Sequence, residues 1–299
     1  MEVNSPQALH LYSLPNEVFV QILSPFTTRE LLPLATVSQR FYALILRLLH
    51  YRLLLSASLV EYKLILECFH PTSKLTEPHH FCNYLGTPGL SDKHEGEGSL
   101  YENIDTAHQL GRLGSVYSIF RPVETEEEDL SVTPDSETPV GDRLTVRRTV
   151  NIEGFEDFSQ LCVAVNVVKV LPGTTLLISA VNVEDGVIRL FRDWLKSQAN
   201  HPQESQQYIN SSSEDPNQRI LWVDKSENVG LKFRVREVTT PDSNFPVLVH
   251  RDEESFSSYE ISVDELHIRT TRLLLTVEQS LQEQHSYPRA VVLQQSGPR

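Results

Sequence analysis

From Leu14 to Leu55 apolar residues recur at helical spacing, and the punctuation between them predicts three helices. The first starts at Pro15, whose ring presets φ and whose missing N–H costs nothing at a helix start, and it ends ahead of Ser24-Pro25, because the residue before a proline is pushed out of the helical region. Val18, Phe19, Ile22 and Leu23 form its stripe. The second opens with a capping box, Thr27 to Glu30, and carries Leu31, Leu34 and Ala35 on one face, with Pro33 bending it or cutting it short. The third runs from about Ser38 through Phe41, Leu44, Ile45, Leu48 and Leu49. Of the 42 residues in this stretch 24 are apolar, against 39% for the chain, and Leu46, Leu53, Leu54 and Leu55 fall off the stripe. A segment of roughly 40 residues seldom buries enough surface to fold alone, so this excess predicts cover by another protein.

Further along, the periodicity changes. Leu231, Phe233 and Val235 alternate with Lys232, Arg234 and Arg236, the mark of a strand with one wet face. Leu176 to Val183 and Val187 to Asp193 flank Glu184-Asp185-Gly186, and Asp-Gly between apolar runs predicts a hairpin. Val187, Phe191, Trp194 and Leu195 also fit a helix over 187–196, with the hairpin the preferred reading. Ser262 and Glu265 resemble a second capping box, leading into Leu266, Leu273, Leu274, Val277 and Leu281 of a terminal helix that would include His267. The fold class expected is α+β: a small N-terminal three-helix unit over 10–56, then over 60–282 a mainly antiparallel β domain with a C-terminal helix. Insertions near 91–97, 124–142 and 197–217 and a tail over 283–299 are polar, acidic or rich in Pro, Gly and Ser, and read as linkers. Thr133-Pro134 and Thr138-Pro139 in the acidic insertion are candidate phosphorylation steps.

Charge narrows the function. Forty acidic and 26 basic residues leave a net charge of −14, which repels a phosphate backbone, and Arg147-Arg148, the sole adjacent basic pair, reads as the solvated face of a strand; nucleic acid is not an expected partner. Cys68, Cys82 and Cys162 are too few for a disulfide framework or a four-cysteine zinc site. The N-terminus lacks a signal-peptide order, and no apolar run approaches the ~18 residues of a membrane span, so no membrane association and a cytoplasmic or nuclear location are expected.

The residues Leu14-Pro15-Asn16-Glu17-Val18, Ile22-Leu23-Ser24, Glu30-Leu31-Leu32-Pro33-Leu34 and Val37-Ser38-Gln39-Arg40-Phe41 resemble the F-box, a three-helix module that docks on the Skp-type adaptor. The likeness covers about 40 residues at one end. It implies that Leu14, Pro15, Val18, Ile22, Leu23, Leu31, Leu34, Val37, Ser38 and Phe41 bind the adaptor and, through it, a cullin-RING ligase. The chain would then be the substrate-choosing subunit of an SCF-type ubiquitin ligase, with an undefined protein target and no catalytic residues. Leu64 to Leu90, with Glu67-Cys68-Phe69-His70-Pro71 and Tyr84-Leu85-Gly86-Thr87-Pro88-Gly89, is similar to a region of fungal F-box proteins, a likeness that carries no biochemical role.

Two other functions compete with this reading. A lectin-like C-terminal sheet could stack sugars on Trp194 and Trp222, although core tryptophans are the commoner outcome. An unrelated enzyme with a helical cap needs a reactive constellation, and each candidate is weak. Glu77, His79, His80 and Cys82 lack the spacing and the second cluster of a zinc site and read as an ordinary loop. The glycines at Gly111 and Gly114 lack the Lys-Ser/Thr of a phosphate loop, and no Gly-x-Ser-x-Gly elbow is present. Neither a metal nor another cofactor is expected.

Overall fold

A computed structural model describes residues 13–74, 77–91, 93–94, 105, 108–123, 146–171, 177–200, 220–238 and 256–286. The linker insertions, with Thr133 and Thr138, fall largely outside these residues. The chain divides into two compact units, Met1–Ser56 with Gly89–Val116, and Ala57–Pro88 with Tyr117–Arg299.

In the first unit the caps and prolines act as the sequence predicts. Helix α1 spans Asn16–Leu23 with Pro15 as its N-cap, one residue earlier in role than expected, and it stops at Ser24-Pro25. Helix α2, Thr28–Leu34, opens on the capping box: the Thr27 N–H donates to Glu30 Oε2 at 2.7 Å and the Glu30 N–H to Thr27 Oγ1 at 3.4 Å. These bonds from Thr27, the backbone one foremost, hold the Glu30 carboxyl below its usual range. Pro33 sits in the last turn, and α2 ends after seven residues. Helix α3 is longer than the pattern suggests, Gln39–Ala57, with Ser38 Oγ accepting from the Phe41 N–H at 3.3 Å. Phe19 and Phe41 meet edge to face, centroids 5.4 Å apart, among buried Leu23, Leu31, Leu44, Ile45 and Leu49. Leu46 and Leu53, which the stripe leaves out, are also buried; Leu54 is half-buried and Leu55 exposed, so the apolar surplus is smaller than the sequence implies. The short helix α4, Gln109–Leu113, belongs to this unit, where His94 also packs its ring 5.6 Å from that of His50.

Among the described residues the second unit holds one antiparallel sheet of nine strands. They are β1 Lys63–Phe69, β2 His80–Gly86, β3 Tyr117–Val123, β4 Val146–Ile152, β5 Phe158–Val170, β6 Leu177–Phe191, β7 Ile220–Trp222, β8 Val229–Glu237 and β9 Ser257–Arg269. Their order is β6-β5-β1-β2-β3-β9-β8-β7, and β4 also pairs with β9. On one side β9 shares its length between β3, from Tyr117↔Arg269 to Phe120↔Leu266, and β4, from Val146↔Val263 to Ile152↔Ser257; on the other it pairs with β8 throughout. Helix α5, Arg192–Asn200, follows β6 directly, and α6, Thr270–Ser286, follows β9. One apolar core joins the sheet to the helices, from Leu64 and Leu66 through Val163, Val165, Leu231, Phe233, Ile261 and Leu266 to Leu195 and Leu273. The architecture is the expected α+β: three N-terminal helices, an antiparallel sheet and a C-terminal helix.

Two local readings fail, each for a non-local reason. Glu184-Asp185-Gly186 is no turn, because β6 runs straight through it, with Ala164↔Asp185 and Val163↔Gly186 in register beside β5. Gly186 is needed for close approach instead: a Cβ there would lie 2.6 Å from Val223 Cγ1, at the point where the chain past β7 meets β6. Asn228 Nδ2 donates to Glu184 Oε2 at 3.3 Å nearby, so the two end strands of the sheet curl toward each other. The helical reading holds only from Arg192 onward. Ser262 and Glu265 likewise form no capping box; both lie in β9, paired with Arg234 and Lys232 of β8, and His267 and Leu266 are strand residues. The helix starts at Thr270, whose Oγ1 lies 3.0 Å from Ser118 Oγ, itself 2.9 Å from Thr87 Oγ1.

Candidate adaptor-docking surface

The ten positions singled out in the helical unit separate into two layers. Leu23, Leu31 and Phe41 are buried in its core. Leu14, Val18, Leu34 and Ser38 are half-buried and Pro15 is exposed, while Ile22 and Val37 are 43% and 56% exposed. The surface also presents Phe26 at 40% and Leu32 at 47%, with Val20 beside them in exposure, and the sequence reading did not include these three. The signal was there in principle. Leu32 follows a core leucine by one residue, about 100° round the helix, so it cannot share the face of Leu31.

Two arginines of α3 hold the segments that carry these side chains. Arg40 Nε donates to Asn16 Oδ1 at 3.0 Å, its Nη2 donates to the Leu14 carbonyl, and its guanidinium carbon lies 4.6 Å from the centre of the Phe19 ring. The Leu14-Pro15 entry is thereby fixed through backbone, independently of the Leu14 side chain. Arg52 reaches the turn between α1 and α2, donating through Nη2 to the Ser24 carbonyl at 2.9 Å and the Phe26 carbonyl at 2.6 Å, and through Nη1 to Thr28 Oγ1 at 3.4 Å. A turn that ends α1, exposes Phe26 and starts α2 is thus tied to α3 by one charged fork.

The alternative chemical sites resolve into structural contacts. Arg148, unlike exposed Arg147, points to the half-buried side of β4, correcting the expectation that both are solvated. It pairs with Glu77, its Nε donates to the Cys68 carbonyl at 3.2 Å, and its Nη2 donates to His80 Nε2 at 2.8 Å. Burial, reinforced by Arg148, lowers the His80 pKa to about 4, so this imidazole is neutral and accepts at Nε2. Among the described residues no three His, Cys, Asp or Glu side chains are grouped to hold a metal ion. The three cysteines are free thiols, and burial pushes the Cys68 pKa up to about 12, far from a reactive thiolate. Trp194 packs against Phe233 with centroids 6.3 Å apart at 83°, and Trp222 packs 5.3 Å from Tyr117. His267 Nε2 donates to Glu265 at 2.9 Å; burial lowers the pKa of this histidine despite the carboxylate beside it.

The family model described as F-box-like matches residues 11–56, the segment that forms these three helices. The chain therefore carries an F-box-like domain at its N-terminal end, as the sequence resemblance implies. Domains of this kind typically bind Skp-type adaptors, and proteins that carry them generally serve as non-catalytic adaptors in SCF-type ligase complexes. No curated protein and no solved structure matches the chain.

Proposed function

We propose that this chain is a non-catalytic substrate-recognition subunit of an SCF-type ubiquitin ligase, joined to the complex by its F-box and presenting a protein target through its sheet unit. The observation that carries the reading is the coincidence of the F-box-like match with exposed apolar side chains, Ile22, Phe26, Leu32 and Val37, on or beside the two short helices of a three-helix module. Burying such side chains is worth about 25 cal/mol per Å² before association costs, so a few of them suffice to anchor a partner. Leu14, Pro15, Val18, Ile22, Leu34, Val37 and Ser38 would touch the adaptor, and Leu23, Leu31 and Phe41 would support that face from beneath. Ubiquitin transfer would be performed by the conjugating enzyme elsewhere in the complex, this subunit raising the local concentration of target beside it. The cytoplasm or nucleus, where such ligases work, is the compartment this role requires. Both tryptophans are engaged in packing, which favours a protein target over a glycan.

The test is co-purification with a Skp-type adaptor, using the Leu14→Ala/Pro15→Ala double variant. Arg40 holds the Leu14 carbonyl whatever its side chain, so the module keeps its shape. The adaptor is expected to be lost from the double variant; full retention would count decisively against the assignment.

A further inference from the structure

Strand β6 ends the sheet: it pairs with β5 on one side and, among the described residues, with no strand on the other. Its two halves differ. The first lies against α6, with Ser179 Oγ 2.7 Å from Ser280 Oγ and the Val183 carbonyl accepting from Nε and Nη2 of Arg272 at 2.8 and 2.6 Å. From Glu184 to Phe191 the strand carries neither proline nor lysine, residues that commonly blunt a sheet edge, and Val187 and Phe191 are 49% and 50% exposed. The opposite end strand, β7, has only three residues.

The backbone of this second half faces outward at alternate residues. The Arg192 N–H donates to the Asp157 carbonyl at 2.9 Å, one step beyond the pair Phe158↔Phe191, so in the antiparallel alternation the backbone groups of Phe191 point away from β5. Counting back along an unbroken register, those of Arg189, Val187 and Asp185 do the same. Among the described residues no donor or acceptor meets these last three. Their side chains are exposed on the outer face, while Ile188 and Leu190 turn inward and Val223 covers Gly186 from within. Asp185 and Arg189 stand four residues apart, about 13 Å, too far to neutralise one another. Neither has an ion-pair partner among the described residues; the Arg189 guanidinium carbon lies 5.4 Å from the centre of the Phe158 ring.

We propose that the free half of β6 pairs antiparallel with the same strand of a second copy of this chain, about a two-fold axis through Val187. That register is self-complementary. It sets Val187 against its own copy and Asp185 of each chain opposite Arg189 of the other, and it joins outward-facing backbone groups at all three positions. An axis at Asp185 would oppose two aspartates, one at Arg189 two arginines, and the intermediate slips set both charges against apolar side chains. An open edge alone would accept many strands; a carboxylate and a guanidinium placed evenly about a central valine favour the same sequence running the other way. Such a dimer needs nothing from the helical unit, so it stands or falls apart from the adaptor role.

Sedimentation velocity on the full chain tests this over a concentration series reaching about 100 μM, because a single strand edge makes a small interface of the weak class. A monomer–dimer equilibrium is expected. Asp185→Arg and Arg189→Asp should each weaken it at least about tenfold, since each brings like charges together twice, while the unfolding midpoint of the dilute monomer stays unchanged. An equimolar mixture of the two variants should restore dimerisation, as should Asp185→Arg/Arg189→Asp in one chain. A protein that is monomeric throughout the series overturns the proposal and leaves the edge to a strand of another protein. A dimer that survives both single reversals, or that the mixture fails to restore, overturns it as well, because the contact then lies elsewhere. The Leu14→Ala/Pro15→Ala variant should dimerise like the wild type, so loss of the adaptor and loss of the dimer register separately.

Discussion

Replacing Arg52 by Met keeps most of the apolar stem and removes the fork that ties the α1–α2 turn to α3. The guanidinium makes two good bonds, to the Ser24 and Phe26 carbonyls at 2.9 and 2.6 Å, and a long one to Thr28 at 3.4 Å. Charged hydrogen bonds contribute about 1.5–3 kcal/mol each when shielded, and these carbonyls lie near solvent, so about 1 kcal/mol for each short bond is the appropriate figure. A loss of about 2 kcal/mol is a factor of about 30 in an equilibrium constant. It falls on the arrangement that positions Phe26 and the start of α2, so adaptor affinity drops with the fraction of molecules holding the turn closed, by about 3- to 30-fold. Isothermal titration of the purified chain with the adaptor reads this directly, with Arg47→Met, at an exposed position on the same helix, as the reference. Wild-type affinity together with an unchanged unfolding midpoint for Arg52→Met would refute the reasoning, since the turn would then hold its shape without the clamp.

Exposed and buried positions of the helical unit should respond differently. Ile22→Ser is expected to weaken adaptor binding with a stability change below about 1 kcal/mol, while Leu31→Ala should cost about 2–5 kcal/mol in urea unfolding; the reverse pattern would contradict the two layers. Gly230→Ala places a Cβ 2.6 Å from Trp222 Cε3 and 2.8 Å from Ile220 Cγ2, and should destabilise the sheet by about 1–3 kcal/mol, visible as a lower denaturant midpoint. His80 titrates near 4 when folded against 6.5 as its ordinary value, so the unfolded chain takes up the proton first. Stability is therefore unaffected above the ordinary value and falls as pH drops from 6.5 toward 4, by on the order of 1–3 kcal/mol after allowance for solvent screening. Unfolding curves across that range should flatten in His80→Gln, which keeps an acceptor for Arg148; an equally steep profile in that variant would assign the effect elsewhere.

What the sequence made legible was local. The Thr27–Glu30 box, the stop at Ser24-Pro25 and the alternation through β8 depend on residues a few positions apart, and each appears where the pattern places it. Gly186 misled because its reason lies at Val223, distant along the chain but adjacent in space, while Asp-Gly beside apolar runs looks the same with or without that neighbour. Ser262 and Glu265 matched a helix cap by spacing, yet pairing with β8 overrides a preference worth about 1 kcal/mol. On the docking module, periodicity marked apolar positions without telling core from surface. Leu31 and Leu32 are neighbours in sequence about 100° apart round the helix, and it took the packing of Phe19 against Phe41 to show which side is inward.

The position of β9 has a bearing on how the molecule is made. Three strands, β3, β4 and β8, rely on it for hydrogen bonds, yet all of them leave the ribosome earlier, and Tyr117 meets Arg269 across 152 positions of sequence. Until Ser257–Arg269 emerges, the nascent sheet has open edges on each of those strands, whereas α1 to α3 need only neighbours already synthesised. A premature stop just upstream of Ser257 would therefore leave α1 to α3 intact and strip partners from three strands at once.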